Sequence, residues 1–255
     1  MKASLQFLGT GASAGVPLIG CDCAVCLSTA SFNNRMRSSA LLRINEKQLL
    51  IDIGPDFRTQ ALRNKISHLD GVLLTHAHYD HVAGIDDLRP IFFHRTTPLP
   101  ILLSQETANE LAVRYSYLLH SKHIDDQIAL HILPKTDGEI LFADVLIKYV
   151  SYKQANMQVN GYRFGNLAYV SDIREFPNSI FEQLEGVQYL IISALRLTPS
   201  LMHLSVQEAI DFATKLNVKY VWLTHLSHDL DYASTNAMLP NYIRLAYDGL
   251  EIEFE

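Results

Sequence analysis

Residues 76–81 read HAHYDH, which puts three imidazoles and one carboxylate within six positions. Imidazole and carboxylate are ligands for zinc, manganese or iron, and such density favours a metal site over an incidental polar loop. His76 and His78 are two apart, so extended backbone projects them to the same side. Asp80 and His81 follow where the chain is expected to turn into a short helix through VAGIDDL. From that turn they can address a second point a few ångströms away.

A second cluster lies nearer the N-terminus. CDCAVC (21–26) contains Cys21, Cys23 and Cys26, all the cysteines of the chain. An odd, tightly spaced set does not suit a disulfide framework. It suits three corners of a tetrahedral structural zinc, with plain buried cysteines as the competing reading.

The elements that must position these groups are short apolar runs of strand length. LLRI (41–44) and QLLIDI (48–53) flank Asn45-Glu46-Lys47 as a predicted hairpin, and GVLLT (71–75) leads into HAHYDH. VLIKYV (145–150), LAYVSD (167–172), YLIISA (189–194) and YVWLTH (220–225) follow. Four runs end on metal-competent residues: Asp52, His76, Asp172 and His225. One such ending is unremarkable, but four imply convergence at one sheet edge. Helical periodicity covers 56–64, 104–119 and 204–217, and Ser205 precedes Glu208 by the three positions of a capping box. Strands first, then strands mixed with helices, predict sheets layered with helices.

Composition bounds the function. A chain of 255 residues can bury a substantial core without disulfides. Hydrophobic residues at 48% and charged residues at 19% describe an ordinary soluble chain. A net charge of −6 argues against a nucleic-acid partner. No run approaches the ~18 apolar residues of a membrane span. MKASLQFLGTG breaks at Gly9, short of a signal peptide. The expectation is one cytoplasmic domain without a membrane partner.

LGTGASAGVP (8–17), CDCAVC, LIDIGPDFR (50–58), HAHYDH, VSDI (170–173) and LTHLSH (223–228) together resemble the metallo-β-lactamase superfamily. Within it they resemble the branch of the phosphoribosyl cyclic phosphodiesterase of phosphonate degradation. The resemblance implies an α/β fold, an αββα sandwich of two mixed sheets flanked by helices. It implies a single domain over 1–255 with an N-terminal zinc loop at about 20–30. By the same resemblance Cys21, Cys23, Cys26 and His228 would hold one structural zinc. One or two catalytic divalent metals, zinc or manganese, would bind beside it. His76 and His78 would hold the first, Asp80, His81 and His225 the second, and Asp172 would bridge. Asp52 would support the ligands from behind, or be an ordinary turn aspartate. His203 would be the general acid, with Asp80 also catalytic.

One position departs from the family pattern. A third histidine for the first metal is expected seven residues before the glycine of a Gly-Tyr pair, and counting back from Gly161 gives Gln154. A neutral amide oxygen is a poorer ligand than imidazole. The first metal is therefore expected to be weak, exchangeable or absent.

The implied function is hydrolysis of a small phosphodiester, cyclic forms included, through metal-activated hydroxide. Several alternatives stand beside it. One is a hydrolase of another ester, amide, lactone or thioester with one catalytic metal. Another is a non-catalytic binding relative, because of Gln154. A transfer-RNA 3′-processing nuclease would carry a Gly/Pro-rich arm, and the pyrroloquinoline quinone biosynthesis relative a longer chain. A homodimer is compatible with all of these. Arg35, Arg37 and Arg58 are candidate phosphate ligands, and residues 95–135 are expected to set specificity. GTGASAG lacks the Lys-Ser/Thr ending of a phosphate loop and reads as a turn. His94, His120, His123 and His131 carry no assigned role.

Overall fold

Asn45 and Glu46 take φ of 50° and 65°, the left-handed pair of a tight hairpin turn. They close the predicted hairpin between β2 (Ser39–Ile44) and β3 (Lys47–Ile51). The computed structural model describes residues 3–119 and 127–255, so His120 and His123 lie outside the described residues. Among those described, the hairpin belongs to a sheet that also contains β1 (Ala3–Gly9), β4 (Gly71–Leu73), β5 (Leu99–Leu103), β6 (Ile128–Ile132) and β14 (Glu251–Phe254). Its order is β14-β1-β2-β3-β4-β5-β6. The second sheet comprises β7 (Asp137–Phe142), β8 (Val145–Gln154), β9 (Met157–Phe164), β10 (Leu167–Val170), β11 (Tyr189–Ser193), β12 (Tyr220–Thr224) and β13 (Ile243–Leu245). Its order is β13-β12-β11-β10-β9-β8-β7.

Both sheets are mixed. β3 through β6 run parallel in the first, and β10 through β13 run parallel in the second. Ligands of open sheets collect beyond the carboxyl ends of parallel strands, and Asp52, His76, Asp172 and His225 all lie just past such ends.

Side-chain alternation sorts the layers. Leu49 and Ile51 of β3 face a core between the sheets with Leu5, Tyr149, Tyr162, Tyr169 and Ile191. Leu50 faces the opposite way, toward Phe57, Ala108 and Leu111 of the outer helices. In the second sheet Leu190 and Ile192 pack outward against Val206, Ala209 and Phe212. These belong to the helix Val206–Leu216, where the Ser205–Glu208 capping box forms as predicted. The αββα arrangement therefore holds. The helix expected over 104–119 does not run unbroken: it stops at Arg114, and a short turn covers Ser116–Leu119. Tyr115, Ser116 and Tyr117 are all middling helix formers. No helix among the described residues is long and apolar enough to cross a membrane.

Buried hydrogen bonds fasten the sheets together immediately before His76. Tyr162 Oη donates to the Leu74 carbonyl at 2.6 Å. The Asn160 backbone N–H donates to the Thr75 carbonyl at 2.9 Å. Tyr162→Phe removes the donor and leaves a buried carbonyl unpaired, a loss of about 1–3 kcal/mol. The urea midpoint should fall accordingly, and an unchanged midpoint would show that this bond does not clamp the sheets.

Candidate metal centre

Three strand-end residues of the site share an uncommon backbone. Asp52, Asp172 and His225 have φ of 61°, 53° and 56°. Left-handed backbone costs an L-residue about 1–2 kcal/mol and concentrates at functional sites. Here it turns each side chain off the strand line. Behind the helix Tyr79–Val82, a Cβ on Gly54 would stand 2.1 Å from the Asp80 carbonyl oxygen. Only glycine lets β3's extension press against that turn, where Ile53 N–H donates to the His81 carbonyl at 2.8 Å.

The side chains expected at the second position lie close together. His81 Nε2 is 2.8 Å from Asp172 Oδ2 and 3.3 Å from Asp80 Oδ2. His225 Nε2 is 3.3 Å from Asp80 Oδ2 and 3.2 Å from Asp172 Oδ1. Asp52 stands behind: its Oδ2 is 2.6 Å from His81 Nδ1, and it accepts the Thr75 backbone N–H at 2.8 Å. This fixes the His81 ring so that Nε2 faces the cluster, the usual work of a supporting carboxylate.

Charges in the cluster depend on one another. Burial would push Asp80 and Asp172 toward the neutral acid, but His81 and His225 outweigh it and hold both well below the usual carboxylate range. Burial likewise disfavours charged His81, yet Asp52, Asp80 and Asp172 raise it well above the ordinary histidine value. Asp52 itself is pushed up by burial, against the pull of His81.

The residues fit a divalent cation. His81 Nε2 and Asp172 Oδ1 are buried, close to opposite charges, and make no hydrogen bond. Convergent lone pairs without hydrogen-bond alignment are what a cation site requires. Asp80, His81 and His225 form one group of convergent donor atoms, and His76, His81 and Asp172 another.

The first position is less complete. His76 Nε2 lies 2.9 Å from His78 Nδ1 but 3.8 Å from Asp172 Oδ2. Among the described residues His78 joins no group of three converging His, Cys, Asp or Glu side chains. Gln154 does reach the site: it ends β8, is 2% exposed, and lines the same cavity as His78, Asp80, Asp172, His203 and His225. Its Nε2 lies 3.0 Å from the His203 ring, while its Oε1 is buried without a partner. His203 Nδ1 lies 3.0 Å from Asp172 Oδ1 without hydrogen-bond alignment, and the ring stacks on His225 with centroids 4.7 Å apart.

The cysteine loop closes on the residue expected. His228 Nδ1 lies 3.3, 3.4 and 3.6 Å from the sulfurs of Cys21, Cys23 and Cys26. Ligand atoms ~2.0–2.3 Å from one tetrahedral centre stand about 3.5 Å apart, so this set also fits a metal. The Cys26 backbone N–H lowers the Cys23 thiol to about 6, which favours the ligating thiolate at neutral pH.

Other expectations change. Arg35 is not a phosphate ligand: it is buried and donates to the carbonyls of Ser227 and Leu230, tying the loop after β12 to the chain before β2. Arg37 pairs with Asp56 at 2.9 Å and supports the Ser13 carbonyl, and Arg58 is exposed without a carboxylate partner among the described residues. His94 and His131 are also exposed. None of the described residues of 95–135 lines the cavity, whose volume is about 400 Å³. Ser13, Tyr79 and Met202 line it instead. Sequence reasoning missed these three, and only proximity to His78, Asp80 and His203 hinted at the latter two. Asp248 was also missed: it accepts from Thr10 and from the Met36 backbone, holding the loop after β1.

Comparison with known proteins agrees with this fold. A family described as the beta-lactamase superfamily domain matches residues 47–226. A crystal structure described as a new diphosphatase from the PhnP family superposes with a TM-score of 0.93 and 37% identity, covering 100% of this chain and 98% of that one. Zn(2+)-bound PqqB from Methylobacterium extorquens covers 98% of this chain and 100% of its own, with a TM-score of 0.78 and 18% identity, a likeness of fold alone. A Porphyromonas gingivalis protein named octanoyltransferase is 35% identical over 250 residues, 96% of this chain and 50% of that protein. The chain thus spans about half the length of that relative. The chain belongs to the beta-lactamase superfamily, with the metallo-β-lactamase fold, and matches the PhnP-like branch that its motifs resemble.

Proposed function

We propose that this chain is a metal-dependent phosphodiesterase acting on a small diester, cyclic forms included. One observation carries the reading. Asp80, His81, Asp172 and His225 converge beside a cavity of about 400 Å³ lined by Asp80, Asp172 and His225, and His81 Nε2 and Asp172 Oδ1 are left there without a hydrogen bond. The whole-length match to a PhnP-family diphosphatase supports the choice of a phosphate substrate. Divalent metal in this cluster supplies Lewis acidity toward phosphate oxygens and makes water acidic enough to serve as nucleophile near neutrality.

The chain's own residues do the rest. No lysine or arginine among the described residues lines the cavity, so the phosphate's charge must be met at the histidine–carboxylate cluster. Asp52 and Thr75 keep His81 from turning. His203, beside Asp172 at the cavity wall, donates a proton to the departing alkoxide. A cyclic diester opens without splitting into two molecules. His203→Ala should lower kcat about 10²–10⁴-fold for a diester with an alkoxide leaving group. It should matter far less for bis(4-nitrophenyl) phosphate, whose leaving group needs no proton. Equal losses on both would exclude the acid role, and no turnover of either by metal-loaded wild type would exclude the function.

The two catalytic positions are unequal in this proposal. Asp80, His81, Asp172 and His225 hold one metal firmly. His76, His78, Asp172 and the Gln154 amide oxygen hold the other weakly, because a neutral oxygen replaces an imidazole. With one structural zinc on the cysteines, the wild type should keep two metals per chain after dialysis, and Gln154→His should keep three. Elemental analysis measures this directly, and identical counts would contradict the inequality.

A further inference from the structure

No described residue of 95–135 lines the cavity, yet one of them reaches the loop that carries His76 and His78. Residues 76–78 belong to no strand or helix: β4 ends at Leu73, and the next helix begins at Tyr79. On one side Asn160 holds the Thr75 carbonyl, and on the other the His78 carbonyl accepts from the His81 and Val82 backbone. Between those points one hydrogen bond from the described residues reaches the main chain. It runs from Arg114 Nη1 to the Ala77 carbonyl, at 2.5 Å.

The helix Gln105–Arg114 aims this side chain. Ala108 and Leu111 are buried, and residues three apart share a helix face, so Arg114 extends that inward stripe at the last helical position. Glu110, one turn back, accepts from Arg114 Nη2 at 2.7 Å. The planar guanidinium therefore serves two acceptors at once, which fixes its fork. His78 depends on this contact most. His76 Nδ1 has Thr75 Oγ1 at 2.9 Å, and His81 Nδ1 has Asp52. The half-buried His78 ring has only the His76 ring, at 2.9 Å, as a hydrogen-bonding partner among the described residues. Its direction is left to the main chain on either side.

We infer that Arg114 is a positioning residue for the weaker catalytic metal: its hydrogen bond to Ala77 sets the backbone from which His76 and His78 face that position. This rests on the two unequal positions proposed above. Charge alone predicts the opposite sign, because a guanidinium against this loop repels a dication. A loss of metal affinity on removing Arg114 therefore reports geometry and not charge.

The test is an equilibrium zinc titration of the full chain against a competing chelator, which needs no turnover. Arg114 is exposed, so its replacement leaves the core intact. Arg114→Met should weaken the third and weakest zinc about 10–100-fold, the usual effect of losing a group that orients a ligand. The zinc on the cysteines and the zinc among Asp80, His81, Asp172 and His225 should bind as in wild type. Arg114→Lys keeps a cationic donor and should lose less. A third zinc bound equally or more tightly by Arg114→Met, equal weakening of all three, or a lysine variant as weak as the methionine variant overturns the inference. Where the third zinc of wild type is too weak to titrate, the same comparison is made in Gln154→His. If neither parent binds a third zinc, the reading of two unequal positions fails and Arg114's role with it. If a parent binds it and Arg114→Met leaves it unchanged, only the role of Arg114 fails.

Discussion

Two carboxylates, Asp80 and Asp172, are buried where the two sheets meet, and burying charge is costly unless opposite charge comes with it. His81 and His225 supply that charge in the protein itself, each close to both aspartates. Protonated imidazole and divalent metal compete for the same oxygens, so metal binding displaces protons. Much of the fold serves this balance. The parallel halves of both sheets end at the cluster, Asp52 orients His81, and Tyr162 and Asn160 lock the His76 segment to the opposite sheet.

The buried charges are aimed by strained backbone. Asp52, Asp172 and His225 persist in left-handed backbone, which only a well-packed surrounding can enforce. The cysteine loop braces another side. Cys21, Cys23 and Cys26 close on His228, three residues beyond His225, and Arg35 ties the same loop by two carbonyl contacts. A restraint near the N-terminus thereby reaches the loop that carries His225 of the histidine–carboxylate cluster.

The parts legible in the sequence were those written in short-range chemistry. HAHYDH, the Asp and His endings of LAYVSD and YVWLTH, the Asn45–Glu46 turn and the Ser205–Glu208 cap each depend on neighbours within a few positions. Gln154 was legible as a departure, and it lies in the cavity. What could not be read was long-range. Arg35 looked like a free cation, but its partners are carbonyls nearly two hundred positions away. Ser13 sits in a turn whose approach to the cavity depends on Arg37, Asp248 and β12's following loop. Tyr79 gave no periodic signal, because an exposed aromatic at a rim follows neither helix nor strand spacing.

Anomalous diffraction from crystals of the chain purified without chelator and supplied with zinc tests the central claim most directly. The account predicts full-occupancy peaks among Cys21, Cys23, Cys26 and His228 and among Asp80, His81, Asp172 and His225, with a weaker peak beside His76, His78 and Gln154. Absence of a peak between Asp80 and Asp172 would contradict it.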